Sequence, residues 1–146
     1  MNIELTQLHS FARELLLRVV PKTDAAFVMT LQGELGAGKT TFVQACAREL
    51  GIDRSVQSPT FALMKKYPIA WHGFETFVHI DAYRLNGAPE FAALAPDTFL
   101  YDPHTIVCIE WPEQIEGALS HVDLALRFAH VEGEENMRAI EVVNKE

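Results

Sequence analysis

Hydrophobic positions change their spacing along the chain, and the change predicts the order of helices and strands. Residues 5–19 place apolar side chains at helical spacing, which predicts one amphipathic helix that ends near Pro21. Residues 25–31 and 105–109 are instead short, mainly apolar runs rich in strand-forming residues. Runs of that kind are typical of strands buried on both faces of a parallel sheet.

The remaining pattern completes an α/β order. A second helix is predicted over residues 39–50, with Gly51 ending it. The other predicted elements are strands at 61–67 and 74–80 joined through a turn at 68–73, a short helix at 89–94, and a C-terminal β-hairpin of residues 123–131 and 137–143. We therefore expect one three-layer α/β domain over residues 1–146, with a mixed, mainly parallel sheet.

Composition and charge narrow the possible functions. The apolar fraction of 49% and the charged fraction of 22% are globular values. No apolar run approaches the ~20 residues that cross a bilayer. A net charge of −8 argues against direct binding of nucleic acid or of an anionic membrane, because phosphate contacts need a basic face. Cys46 and Cys108 lie in apolar segments, which we interpret as reduced core thiols of a cytoplasmic protein, and six scattered histidines predict no zinc site.

A glycine-rich segment carries the strongest functional signal. Residues 33–40, GELGAGKT, fit the phosphate-loop pattern G-x-x-x-x-G-K-[ST] between a predicted buried strand and a predicted helix. Glycines let the backbone approach a phosphate closely, and the helix N-terminus adds a positive dipole end. We expect Lys39 to reach the β and γ phosphates and Thr40 to offer a hydroxyl to Mg²⁺. The predicted nucleotide-binding residues are Gly36, Ala37, Gly38, Lys39, Thr40 and Thr41.

Two acidic residues follow predicted buried strands, where an α/β sheet places its ligands. Asp81 and Glu110 are therefore candidates for the acid near the metal, one holding Mg²⁺ and the other orienting a water or a switch loop. Thr60, in the turn-like sequence SPTF, is a candidate sensor of the γ phosphate, although a plain turn explains it equally well. Trp111 either covers the site, contacts a partner or simply packs after its strand.

Four sequence blocks occur in order and together resemble one family. GELGAGKTTF (33–42), SPTF (58–61), HIDAYRL (79–85) and IEWPE (109–113) are similar to the bacterial TsaE (YjeE) family. The resemblance implies a P-loop NTPase fold that binds ATP or ADP with Mg²⁺ and has weak ATPase activity alone. It also implies a complex with TsaD and TsaB that modifies adenosine 37 of tRNA to threonylcarbamoyladenosine, the chain meeting tRNA only through that complex.

The same resemblance assigns roles to individual positions. Lys39 and Thr40 match the phosphate lysine and the magnesium hydroxyl, and Glu110 matches the metal-binding acid. Thr60 and Asp81 match the switch threonine and the second acid of the site, and Trp111 matches the family tryptophan. The expected catalytic residues are therefore Lys39, Asp81, Glu110 and Thr60, with Thr40 and Glu110 holding the metal.

The distribution of basic residues bears on the expected rate. From residue 85 through residue 126 the chain has no Lys or Arg, and Arg84 is the only nearby candidate for an arginine in cis. Phosphoryl-transfer enzymes without an arginine in cis often gain one in trans. We therefore expect ATP hydrolysis that is slow alone and stimulated by partners, with hydrolysis resetting the complex between turnovers.

Other nucleotide-binding functions compete with this interpretation. A small-molecule kinase usually needs an arginine-bearing lid, which the stretch without basic residues disfavours. A GTPase needs an Asn-Lys-x-Asp guanine motif, and Asn144-Lys145 lies with only Glu146 after it, so that hypothesis fails. A nucleotide-gated binding module, in which hydrolysis is incidental, stays open.

Overall fold

Seven strands form one sheet in the computed structural model, which describes residues 1–52 and 63–143. The strands are β1 (Asn2–Glu4), β2 (Phe27–Gly33), β3 (Met64–Trp71), β4 (Phe74–Asp81), β5 (Thr105–Glu110), β6 (Leu124–Val131) and β7 (Glu134–Val143). Their order across the sheet is β1-β7-β6-β2-β5-β4-β3. The four central strands β6, β2, β5 and β4 are parallel, whereas β1, β7 and β3 join by antiparallel pairing. The predicted mixed α/β sheet and its C-terminal hairpin are confirmed, with the parallel pairs at its centre.

Helices cover both faces of the sheet. The helices are α1 (Leu8–Leu16), α2 (Lys39–Glu49), α3 (Ala88–Ala92) and α4 (Asp97–Leu100). Short 3₁₀ turns at Leu5–Gln7 and Pro112–Ile115 complete them. The α1 and α2 helices pack together on one face, and α3 and α4 lie on the other, which gives three layers. Within the described residues no helix is long and apolar enough to cross a membrane.

The alternation of side chains along the buried strands divides the core in two. On β5, Ile106 and Cys108 face α1 and α2, whereas Val107 and Ile109 face α3 and α4. By the same period of two, Glu110 falls on the α2 face where the strand ends. All six residues of β5 are buried, which explains why its sequence is an apolar run.

Both cysteines lie in the core, as predicted. Cys46 on α2 and Cys108 on β5 are fully buried and form no disulfide. Burial raises the pKa of both thiols well above the ordinary value, and the neighbouring Cys46 and Glu110 add to the shift at Cys108. The two side chains therefore act as small apolar core residues.

Several element boundaries differ from the sequence prediction. The helix predicted over 5–19 is a 3₁₀ turn followed by the shorter α1. The turn predicted over 68–73 shrinks to His72 and Gly73, because β3 continues through Pro68 to Trp71. The strand β3 lies at the edge of the described sheet. An edge strand tolerates proline, which has no N–H to donate to a neighbouring strand. The strand β1 and the helix α4 are too short for a periodic signal and were not predicted.

Phe42 tests how strongly the α2 face is packed. Its side chain is fully buried, with ring centroids 5.9 Å from Phe11 and 5.6 Å from Phe128. Phe42→Ala is expected to lower the free energy of unfolding by about 3–5 kcal/mol, because the cavity left behind cannot fully collapse. Urea denaturation measures the loss. The control Leu17→Ala, at a side chain 53% exposed, should change stability by about 0.5 kcal/mol or less. Equal losses in the two variants would contradict this packing.

Candidate functional site

The glycine-rich segment forms the connection between β2 and α2, as its motif predicts. Gly33 ends β2, Gly38 precedes the first residue of α2, and the loop spans residues 34–38 between them. Gly36 and Gly38 have φ angles of 78° and 106°, in the left-handed region that favours glycine. An added Cβ would make only ordinary van der Waals contacts, with nearest atoms at 3.9 Å and 3.7 Å respectively. Backbone conformation, not crowding, therefore calls for glycine at these two positions.

Gly33 is required for a different reason. Its φ is 148°, and in the parallel pairing of β2 with β6 it lies opposite Phe128. A Cβ added at Gly33 would collide with the Phe128 carbonyl oxygen. The first glycine of the motif therefore serves close approach of two strands, a demand that phosphate binding alone does not make.

Lys39 folds back over the loop that precedes it. Its side chain is only 4% exposed, and Nζ donates hydrogen bonds to the backbone carbonyls of Gly33 and Glu34, the second at 3.0 Å. Nζ also lies 4.2 Å from the ring centroid of Trp111, a cation–π contact. Burial lowers the pKa of this ammonium, and four neighbouring carboxylates oppose the shift, those of Glu110, Glu113, Asp81 and Glu34.

Glu110, at the end of β5, forms contacts with both α2 and the neighbouring strand β4. It is 2% exposed, and its Oε1 accepts a hydrogen bond of 3.1 Å from Thr40 Oγ1 at the start of α2. Its Oε2 lies 2.6 Å from Nε2 of His79, a fully buried residue on β4. Strand register explains the contact, because His79 pairs with Cys108 and β5 ends two residues later. Both oxygens of this carboxylate are therefore held by named partners.

Asp81 lies beside Glu110 at the same end of the sheet. The two residues are register partners in the parallel pairing of β4 with β5, and the Ala82 amide donates to the Glu110 carbonyl at 3.0 Å. Asp81 Oδ1 accepts the Tyr83 amide at 3.0 Å, which closes a turn after the strand. The sheet thus brings both predicted acids to the carboxyl edge of its parallel strands.

These residues surround a cavity of about 390 Å³, a size that suits a small-molecule ligand. Its lining residues are Leu35, Gly36, Gly38, Lys39, Thr40, Thr41, Leu63, Asp81, Tyr83, Arg84, Glu110 and Trp111. Trp111 and Tyr83 form one wall, with ring centroids 4.9 Å apart. Trp111 and Leu63 both have positive φ, at 61° and 60°. Such strain in residues with side chains is concentrated at ligand sites.

Most of the residues predicted from the sequence meet at this cavity, with two exceptions. Ala37 is fully buried and does not line the cavity, and its amide donates to the Glu34 carbonyl at 3.1 Å. Thr60 lies outside the described residues. Arg84 and Trp111, which the sequence left with open roles, both belong to the lining.

Side chains of the C-terminal hairpin contact backbone carbonyls of the glycine-rich loop, and the sequence analysis did not predict these contacts. Arg138 Nη2 on β7 donates to the Gly36 carbonyl at 3.2 Å, and His130 Nε2 on β6 lies 3.5 Å from the Leu35 carbonyl oxygen. In a trans peptide the carbonyl and the following N–H point in opposite directions. Because Leu35 O faces the hairpin, the Gly36 amide points away from it. These side chains lie about a hundred residues from the loop in sequence, so no local motif could reveal them.

The donors around the cavity fit a phosphate chain and a magnesium ion. A positive-φ loop and the N-terminus of α2 suit an anion, and the Lys39 ammonium can exchange its carbonyl partners for phosphate oxygens. The Thr40 hydroxyl and the Glu110 carboxylate are hard oxygen donors at hydrogen-bond distance from each other, the ligand type that Mg²⁺ prefers.

Comparison with known proteins gives one consistent family. The family described as "Threonylcarbamoyl adenosine biosynthesis protein TsaE" matches residues 4–140. A protein named tRNA threonylcarbamoyladenosine biosynthesis protein TsaE from Streptomyces coelicolor is 37% identical over 123 residues, 84% of this chain and 81% of that one. The Haemophilus influenzae protein of the same name is 30% identical over 131 residues, 90% of this chain and 79% of that one.

A solved structure supports the same fold. The crystal structure of YdiB from Bacillus subtilis is similar with a TM-score of 0.71 and 27% identity, covering 96% of this chain and 80% of that one. The α/β architecture expected for a phosphate-loop protein is therefore confirmed.

The two reasons for glycine in the loop can be separated by mutation. Gly36→Ala places a side chain at positive φ without a steric clash, which is expected to lower stability by about 1–2 kcal/mol. Gly33→Ala adds a collision with the β6 backbone and should lower stability by about 1–3 kcal/mol more. Urea denaturation of both variants gives the comparison. Equal losses would show that β6 moves freely away from Gly33, contrary to this account.

Proposed function

Because the chain belongs to the TsaE family, we propose that it is a Mg²⁺-dependent ATPase acting in threonylcarbamoyl modification of adenosine 37 in tRNA. The observation that carries the proposal is the meeting of Lys39, Thr40 and Glu110 at one cavity, with Thr40 Oγ1 3.1 Å from Glu110 Oε1. An ammonium, a hydroxyl and a carboxylate in that arrangement are the parts that phosphoryl transfer requires.

Binding of the triphosphate rests on the loop and Lys39. The Gly36 amide, turned away from the hairpin, and the first amides of α2 provide donors that a phosphate oxygen can accept. Lys39 gives up its hydrogen bonds to Gly33 and Glu34 and donates to the β and γ phosphates instead. Thr41, on the cavity lining, contacts the α phosphate.

The acids and the hydroxyl at the cavity edge provide the hydrolytic chemistry. Thr40 and Glu110 would hold Mg²⁺, which when bound neutralises charge on the phosphate oxygens. Asp81, the register partner of Glu110, orients the attacking water. Trp111 and Tyr83 form a wall that limits access of bulk water to the phosphates. Thr60 is the proposed sensor of the γ phosphate.

The charged side chains that line the cavity leave little net positive charge for a triphosphate, so we propose that hydrolysis is slow without partners. Of the lining residues that the structure describes, Lys39 and Arg84 are the basic ones, against the carboxylates of Asp81 and Glu110. A cationic group supplied in trans is worth about 10³–10⁵ in rate in related chemistry. We propose that TsaD and TsaB form the complex in which this cytoplasmic chain works, and that the chain meets tRNA only through them. Hydrolysis then resets the complex between turnovers.

Lys39→Ala tests the phosphate contact. Loss of its charge-assisted hydrogen bonds should weaken ADP binding by about 1.5–3 kcal/mol, or about 10- to 150-fold in Kd, measured by isothermal titration calorimetry. Lys65→Ala, which removes an exposed lysine from β3, is the matched control and should keep the original affinity. Unchanged ADP affinity in Lys39→Ala would refute the phosphate-loop assignment.

Glu110→Gln tests whether hydrolysis matters for the modification. The amide removes the negative charge that holds the metal, so phosphate release should fall about 100-fold while ADP binding without Mg²⁺ persists. With purified TsaD, TsaB, tRNA and threonylcarbamoyl-adenylate, the wild-type chain should release phosphate faster than alone and support modified tRNA, scored by mass spectrometry of nucleosides.

The same assay separates the proposal from its alternatives. If Glu110→Gln supports modification at the original rate while its hydrolysis is lost, the chain is a nucleotide-gated module and not a working ATPase. Turnover of ~10 s⁻¹ by the wild-type chain alone would contradict dependence on partners.

A further inference from the structure

His79 is a buried polar residue for which the proposed function gives no role. Its side chain is 0% exposed on the central strand β4, yet a histidine in a core costs free energy unless its nitrogens are bonded. Nε2 lies 2.6 Å from Glu110 Oε2, within the range of a charge-assisted hydrogen bond. Nδ1 has no hydrogen-bond partner among residues 1–52 and 63–143.

These two observations indicate which ring nitrogen donates a hydrogen bond. If Nδ1 carried the proton of a neutral ring, a buried N–H would lack a partner and the Nε2 lone pair would face a carboxylate oxygen. A proton on Nε2 avoids both, because Nε2–H then donates to the Glu110 carboxylate.

The hydrogen bond gives the two oxygens of Glu110 different partners. Oε2 is hydrogen-bonded to His79, whereas Oε1 accepts a hydrogen bond from Thr40 in the first turn of α2. Without the histidine, one oxygen of a carboxylate that is 2% exposed would lose its partner. The side chain would then rotate or take up water to satisfy that oxygen.

We propose that His79 is a positioning residue that holds Glu110 in the rotamer needed to bind the magnesium of the nucleotide complex. The inference rests on the proposed function and extends it to a residue beyond the metal ligands. Partners that orient a ligating group commonly change metal affinity or activity by 10- to 100-fold when removed. His79 should therefore set the Mg²⁺ dependence of nucleotide binding and leave the contact between Lys39 and phosphate unaffected.

Two polar variants of similar burial test the proposal. The Gln amide in His79→Gln reaches close to the place of Nε2, whereas the shorter Asn amide in His79→Asn does not. ADP affinity is measured by calorimetry with Mg²⁺ and with EDTA, and the Kd in EDTA divided by the Kd in Mg²⁺ reports the contribution of the metal. His79→Asn should lower that ratio about 10-fold with its EDTA value unchanged, and His79→Gln should keep most of the original ratio.

The outcomes distinguish this inference from the proposed function. A folded His79→Asn with the wild-type ratio overturns the positioning role while leaving the ATPase proposal in place. Equal losses in both variants, in EDTA as well as in Mg²⁺, would mean that His79 serves only the fold, and they also overturn it. A wild-type chain that binds no ADP under either condition overturns the proposed function and with it the role of His79.

Which ring nitrogen of His79 carries the proton can be measured without any nucleotide. In ¹⁵N-labelled protein the two ring nitrogens of a neutral histidine have distinct chemical shifts, and the His79 signal is the one lost in His79→Gln. The proposal expects the proton on Nε2. A ring whose proton lies on Nδ1 alone would overturn it, because Nε2 could then not donate to Glu110.

Discussion

The parallel pairing of β2, β5 and β4 is the constraint on which the rest of the structure depends. It ends three strands at one edge of the sheet, so the loop after β2 meets the carboxylates at the ends of β5 and β4. The register of these strands then determines which side chains meet at the site. A shift of one residue would turn Glu110 from the α2 face to the opposite face, away from Thr40 and Lys39. The apolar runs that bury these strands on both faces are therefore also what positions the polar site.

The sequence predicted the parts of the site that follow local rules. The loop pattern at residues 33–40 specifies its own backbone, and acids directly after apolar strands must emerge at the sheet edge. His79 lies two residues before Asp81 and so on the same face of β4, but the sequence analysis gave it no role. A histidine inside an apolar strand is equally typical of a packed core residue, so its position alone does not predict a function.

Other features depend on tertiary contacts that no local pattern encodes. The hydrogen bond from Arg138 to the Gly36 carbonyl arises only once the C-terminal hairpin pairs beside β2. The left-handed backbone of Trp111 follows from hydrogen bonds to Leu31 and Gln114 at either side of it. Likewise, the sequence shows Gly33 only as part of a phosphate motif, whereas the close Phe128 backbone on β6 gives an independent reason for glycine there.

Lys39 already donates to two carbonyls of its own loop, and this has a consequence for which anions the loop selects. Any incoming group must replace those acceptors, so a lone chloride or a single small oxyanion gains little by exchange. A linked chain of phosphates offers several acceptors at once, to the ammonium and to the surrounding amides. It would therefore form more hydrogen bonds than the two that it replaces. Under the proposed function, the loop would therefore discriminate by the number of connected oxygens that a ligand presents, and common salts would compete poorly for it.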